Sequence, residues 1–273
     1  MLHLSALLQL LPGMQTLAPL HQQAGQQPDN LCGPYWVSLW LRSHQYHITP
    51  EQVAQQAGTV LPTGQPQTAW VPPGATPRCD YSLPLPTTPD VTTGGTSAQG
   101  LVRAVRQLTS GSYDLVPLQS HWTGDRLLSL LQLCVDHPEW NTAPLCNVST
   151  AYLWGSNLSP AAAIAHLSGS TISPPPADWA VGHFLTLAGW VQGSAAMLMW
   201  VCDTYPQFGW QGYTMQPPSA IAAALNREAG ASGGVLLFVH HQHRQAVAQA
   251  AAQLGCEVEV WDNGSPIPAD WEG

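Results

Sequence analysis

The stretch GHFLTLAGWVQGSAAMLMWVCDTYP, residues 182–206, decides the fold. It holds two apolar runs, HFLTLAGWVQ and AAMLMWVCDTY, divided at Gly193-Ser194. Two such runs split by a short turn signal predict a β-hairpin. A tight hairpin sets the start of one strand beside the end of its partner. His183, which opens the first run behind Gly182, therefore becomes a neighbour of Asp203, which ends the second. An imidazole and a carboxylate so placed can share a proton, and the carboxylate can fix which ring nitrogen faces outward.

Working outward, the rest of the chain separates into a helical half and a strand-rich half. Residues 34–43 predict a helix, with Pro34 in its first turn. TPEQVAQQAG (49–58) carries a capping box at Thr49 and a terminating Gly58. SAQGLVRAVRQLTSG (97–111) has the 3.6-residue apolar period, and TGDRLLSLLQLCVDHPEW (123–140) begins at a Thr123 or Asp125 cap. YDLVPLQ, APLCNVSTAYLW, GGVLLFVHH and the final CEVEVWD predict strands; SPAAAIAHLSG, PPSAIAAALNREAG and RQAVAQAAAQLG predict helices. Residues 59–98, rich in Pro, Thr and Gly, predict loop. The apolar start, MLHLSALLQLLPGMQTLAPL, predicts a short amphipathic helix; it lacks the basic region and cleavage site of a signal peptide. Helices early and strands late indicate an α+β fold.

The segment QQPDNLCGPYW (26–36) puts a thiol where a loop enters an apolar helix. A cysteine at a helix N-terminus sits in the positive end of the helix dipole, which favours the thiolate and makes it a nucleophile. Gly33 admits close approach of a substrate to the backbone. The Cys32 N–H and the side-chain amide of Gln26, six residues upstream, supply two donors for an oxyanion. A nucleophilic thiol needs a base held by an acceptor, and His183 and Asp203 meet that need.

Composition narrows the field. Charged residues are 8% of the chain, far below the usual level of about 25%. Seven cations, all arginine, face sixteen acids, and the net charge of −9 argues against nucleic acid and anionic membranes as partners. A surface so poor in charge leaves room for a homo-oligomer or a protein partner. The six cysteines, Cys32, Cys79, Cys134, Cys146, Cys202 and Cys256, form no C-x-x-C pair, so no zinc ribbon is expected. HHQH (240–243) reads as a solvated strand end rather than a metal site, and His44 and His47 as turn residues. No phosphate-binding glycine motif is present, so no nucleotide cofactor is expected. No apolar run reaches the length of a membrane span. The cytoplasm is the expected location.

The order Q-x5-C-G-P before an apolar helix, then G-H-F on a strand, then an Asp closing the next strand, resembles the papain-like superfamily. Within it, the pattern is closest to the C39-like bacterial peptidases, where an Asp-Pro stands in place of Asp203-Thr204-Tyr205-Pro206. The resemblance runs over roughly residues 20–240. It implies a papain-like fold in which a helical lobe carries Cys32 at a helix start and packs on an antiparallel sheet carrying His183 and Asp203. One domain would span 1–273, with 59–98 an insertion and 241–273 an extra helix–strand extension. The activity implied is a cysteine peptidase or amide hydrolase, without metal or cofactor, acting on a peptide or amide. An acyltransferase, with an amine or thiol replacing water, and a non-enzymatic binding or assembly module are the competing readings. Trp179 and Trp210, in loops flanking His183 and Asp203, join Gly33 and Gly182 as expected substrate contacts.

Overall fold

The chain is described over residues 8–66, 71–227 and 232–268 in a computed structural model. It opens with β1 (Leu8–Leu10), α1 (Met14–Ala24), α2 (Cys32–Ser43) and α3 (Pro50–Ala57). β2 (Leu61–Pro62) and β3 (Thr87–Thr88) follow within otherwise irregular chain, then α4 (Ala98–Leu108). Next come β4 (Tyr113–Leu118), α5 (Gly124–Asp136), β5 (Leu145–Ser149) and α6 (Pro160–Leu167). The second half supplies β6 (Gly182–Gln192), β7 (Met197–Cys202), β8 (Tyr213–Gln216), α7 (Pro218–Asn226), β9 (Gly234–His240) and α8 (Arg244–Gln253).

Local chemistry sets the helix ends. Thr49 accepts from the Gln52 N–H while the Gln52 side chain accepts from the Thr49 N–H, and Gly58 closes α3 in the left-handed region. Ser97, Thr123 and Ser159 each accept from the backbone N–H three residues on, starting α4, α5 and α6. Thr123, not Asp125, is thus the cap of α5.

The hairpin forms the centre of one seven-stranded antiparallel sheet in the order β4-β9-β5-β6-β7-β8. β6 is long enough to take two partners on one side: β5 pairs with Gly182–Thr186 and β1 with Gly189–Val191. The architecture is α+β, with a mostly antiparallel sheet covered by helices. α2 lies against it, buried from Tyr35 through Leu41, as an apolar helix with no polar face must be. Trp40 of α2 stacks on Phe238 of β9 with ring centroids 5.4 Å apart. No helix among the described residues is long and apolar enough to cross a membrane.

Two local expectations need correction, and one strand is added. The N-terminal helix begins only at Met14, because Leu8–Leu10 pair with β6 as a strand; residues 1–7 lie outside the described chain. CEVEVWD forms no strand: Glu257 makes one isolated antiparallel bridge to Gln119, just past the edge strand β4, and the exposed 257–259 stretch carries the pairing no further. β8 was not expected; it continues the meander from β7, pairing Met199–Cys202 with Tyr213–Gln216.

Candidate active site

The turn into α2 is pinned from outside. Asp29, buried, accepts from the Arg78 N–H at 2.8 Å, and the Tyr81 hydroxyl donates to the Asp29 carbonyl at 3.0 Å. Burial raises the Asp29 carboxyl, opposed by the bonds from Arg78 and Cys79. Asn30 turns the chain with φ of 61°, a left-handed conformation that asparagine tolerates. The helix then starts at Cys32, so the Cys32 and Gly33 N–H groups belong to the first turn, which lacks intrahelical acceptors. Cys32 is half-buried, and its sulfur accepts from the Phe184 N–H of β6 at 3.4 Å.

β6 brings His183 to the same point. Its Nε2 meets Asp203 Oδ1 at 3.1 Å, and both side chains are buried. The Asp203 carboxylate also accepts from the Tyr205 N–H at 3.0 Å, which fixes its orientation. Nε2 being engaged, Nδ1 is the nitrogen left for Cys32. Burial alone would lower the His183 imidazole; the charges of Asp203 and Cys32, and hydrogen bonds to both, overcome it and raise it to about 10. The surroundings of His183 therefore favour its protonated form. Trp179 covers the pair, its ring centroid 5.4 Å from that of His183.

Cys32 and His183 open into one cavity of about 290 Å³. Trp179 and Gly182 line it. Four expected site residues do not: Asp203 reaches the site only through its bond to His183, and Gln26, Gly33 and Trp210 lie elsewhere. Gln26 turns away, its amide donating to the Thr76 carbonyl at 2.7 Å and accepting from Gln207 at 2.9 Å. The next residue, Gln27, lines the cavity instead; its Nε2 donates to the Tyr205 hydroxyl at 3.2 Å, which uses one of its two hydrogens. Gly33 faces the core: a Cβ there would lie 2.9 Å from Leu101 and 3.1 Å from Phe184, so its role is to let α2 approach β6. Trp210 is 71% exposed and borders a separate apolar groove with Leu10, Trp200 and Tyr213.

Sequence reasoning did not find the other walls. Thr92 and Thr96, from the 59–98 segment, and Asn263 and Ser265, from the C-terminal tail, line the cavity opposite the sheet. Asn263 donates to the Thr96 carbonyl at 3.0 Å, tying the two segments together. Arg227, the residue after α7, reaches in as well, donating to Asn147 Oδ1 at 2.8 Å and the Val148 carbonyl at 3.0 Å. The available signal was scarcity: Arg227 is one of only seven cations, and it ends an alanine-rich helix.

Burial pushes Cys134 up to about 12 and raises Cys146, Cys202 and Cys256. Cys202, beside Asp203, points into the core as alternation along β7 requires. Cys79 is exposed and is raised by partial burial and by Asp29. In the HHQH stretch, His241 bonds the buried Asp114 at 2.7 Å, a carboxylate the sequence places 127 positions away.

The chain matches the model of one protein family, described as "Family of unknown function (DUF6885)", over residues 11–262. No curated protein and no solved structure matches it.

Proposed function

The chain belongs to the DUF6885 family, and from its site we propose that it is a cysteine hydrolase of papain-like fold that cleaves a peptide or amide bond. One observation carries this reading: a buried His183–Asp203 pair, linked at 3.1 Å, whose free imidazole nitrogen shares a cavity with a thiol at a helix start. Burying a charged pair without a use for it is unfavourable, and perturbed imidazoles gather where chemistry is done.

Chemistry follows from this placement. The Cys32 sulfur, at the start of α2 and in the same cavity as His183, is the nucleophile. That sulfur forms a bond to the substrate carbonyl carbon, and the C=O π electrons move onto oxygen. The Cys32 N–H and the second N–H of Gln27 stabilise this oxyanion. As the tetrahedral species collapses, the C–N bond breaks and His183 passes its Nδ1 proton to the leaving amine. A thioester remains on Cys32. Neutral His183 then takes a proton from water, the hydroxide adds to the thioester carbon, and collapse releases the acid and the thiolate. Asp203 positions the imidazole and stabilises its charged form throughout. Six free cysteines suit a reducing compartment such as the cytoplasm.

Alkylation by iodoacetamide at pH 7, followed by peptide mapping, tests the reading. Cys32 reacts at least about tenfold faster than the exposed Cys79, and His183→Ala removes the difference. Equal rates at the two thiols refute the hydrolase. Product analysis with and without added amine separates hydrolysis from acyl transfer.

A further inference from the structure

The electrostatics of the cavity are opposite to those of the whole chain. Sixteen acids against seven cations give a net charge of −9. Yet none of the residues lining the cavity beside Cys32 is acidic, and among them stands one arginine. Arg227 has no carboxylate partner among the described residues: its bonds go to the Asn147 amide oxygen and the Val148 carbonyl, both neutral. Its Nε is buried without an acceptor. The guanidinium lies beside β6: a Cβ on Gly182, next to His183, would be in ordinary contact with both Nη atoms at 3.8 Å. The Arg227 backbone holds φ of 43°, a conformation uncommon outside glycine, where a simple helix exit would suffice.

A half-buried guanidinium held by neutral acceptors has unused donors and uncompensated charge, and a carboxylate matches its fork geometry. Resting on the hydrolase reading, we propose that Arg227 binds a carboxylate of the substrate, so that the amide bond brought to Cys32 belongs to an acidic peptide or amide. Asn147 positions the guanidinium and, through its bond from the Trp261 indole at 3.4 Å, is itself held by the C-terminal tail. The carboxylate is either a chain terminus or an Asp/Glu side chain close to the scissile bond, because the cavity of about 290 Å³ holds little more than one or two residues.

Alkylating agents of different charge read this without a known substrate. The ratio of iodoacetate to iodoacetamide rates at Cys32 falls about tenfold or more in Arg227→Gln, because a charge-assisted bond to the reagent is lost. Arg227→Lys keeps much of the ratio, and Cys79 serves as the internal control whose ratio stays constant. A second arm needs only the wild-type protein: acetyl-Ala-Ala with a free C-terminus, acetyl-Glu-Ala-amide and the neutral acetyl-Ala-Ala-amide are compared as protectors of Cys32 against iodoacetamide. Protection by the first assigns a terminal carboxylate, protection by the second a side-chain carboxylate, and either supports the proposal. An unchanged ratio in Arg227→Gln, or protection no better than that of the neutral peptide, overturns it. Failure of the hydrolase reading looks different: Cys32 is then no faster than Cys79 with iodoacetamide, whatever the reagent ratio.

Discussion

His183 Nε2 lies 3.1 Å from Asp203 Oδ1 in a setting where each side chain is almost wholly removed from water. The imidazole is held above its ordinary value, to about 10, against a burial effect that alone would lower it. A histidine whose folded-state value exceeds the unfolded one, about 6.5, binds more protons when folded. Its stabilisation is fully present below pH 6.5 or so and is lost as pH rises toward 10.

NMR titration of the His183 ring therefore gives a midpoint well above neutrality in the wild-type chain. In Asp203→Asn the midpoint drops toward or below about 6.5, because burial then acts with its main opponent removed. Over the same window the unfolding free energy of the wild type declines relative to that of Asp203→Asn. A wild-type midpoint at or below 6.5 contradicts the assigned pairing.

Gln27, not Gln26, lines the cavity that holds the thiol, and the two substitutions separate cleanly. With p-nitrophenyl acetate as acyl donor, Gln27→Ala slows acylation of Cys32 by about 10²–10³, the loss typical of one oxyanion donor. Gln26→Ala leaves acylation near the wild-type rate and lowers thermal stability by loosening the contacts to Thr76 and Gln207. The reverse ranking would return the donor role to Gln26.

This exchange of neighbours marks where sequence stops being informative. The hairpin was legible because a two-run apolar pattern with a turn in it has one good solution, and His183 and Asp203 follow from its register. The thiol at a helix start was legible because Pro34 and the apolar run fix that boundary. Which of two adjacent glutamines points inward depends on the turn through Asn30, set by Asp29, Arg78 and Tyr81 from a segment some 50 positions away. The cavity walls from Thr96 and Asn263 were hidden for the same reason: irregular chain carries no period, and its position is decided by long-range hydrogen bonds such as that between those two residues.

Gly33 sits on α2 against Leu101 of α4 and Phe184 of β6. Alanine would gain helix propensity worth about 1 kcal/mol. Its Cβ would also press on atoms 2.9 and 3.1 Å away, and overpacking of this kind costs about 1–3 kcal/mol. Leu101 can shift its terminal methyl, but Phe184 is fixed in a strand paired on its β5 side. The expected net result is a loss of about 1 kcal/mol, read as a fall of about 2–4 °C in Tm. The same displacement lengthens the Phe184 N–H to Cys32 contact, so Cys32 alkylation slows too. A more stable Gly33→Ala protein with unchanged labelling would mean that α2 does not depend on this close approach.

Trp179 packs over the His183–Asp203 pair and also contacts Tyr205, at centroid distances of 5.4 and 5.5 Å. Removing its ring admits water to the pair, with two opposed consequences. Less burial raises the imidazole, while better screening weakens the pull of Asp203 and Cys32 that now raises it. In the intact protein the charges prevail over burial, and water weakens both influences, so the remaining shift shrinks toward the ordinary value of about 6.5. Trp179→Ala thus moves the His183 titration midpoint downward from about 10 without reaching that of Asp203→Asn. Cys32 alkylation at pH 8 slows with it, since less of the imidazole is protonated beside the sulfur. Trp179→Phe, which keeps an aromatic cover, restores most of both; a midpoint that rises in Trp179→Ala would show that burial, not charge, governs this histidine.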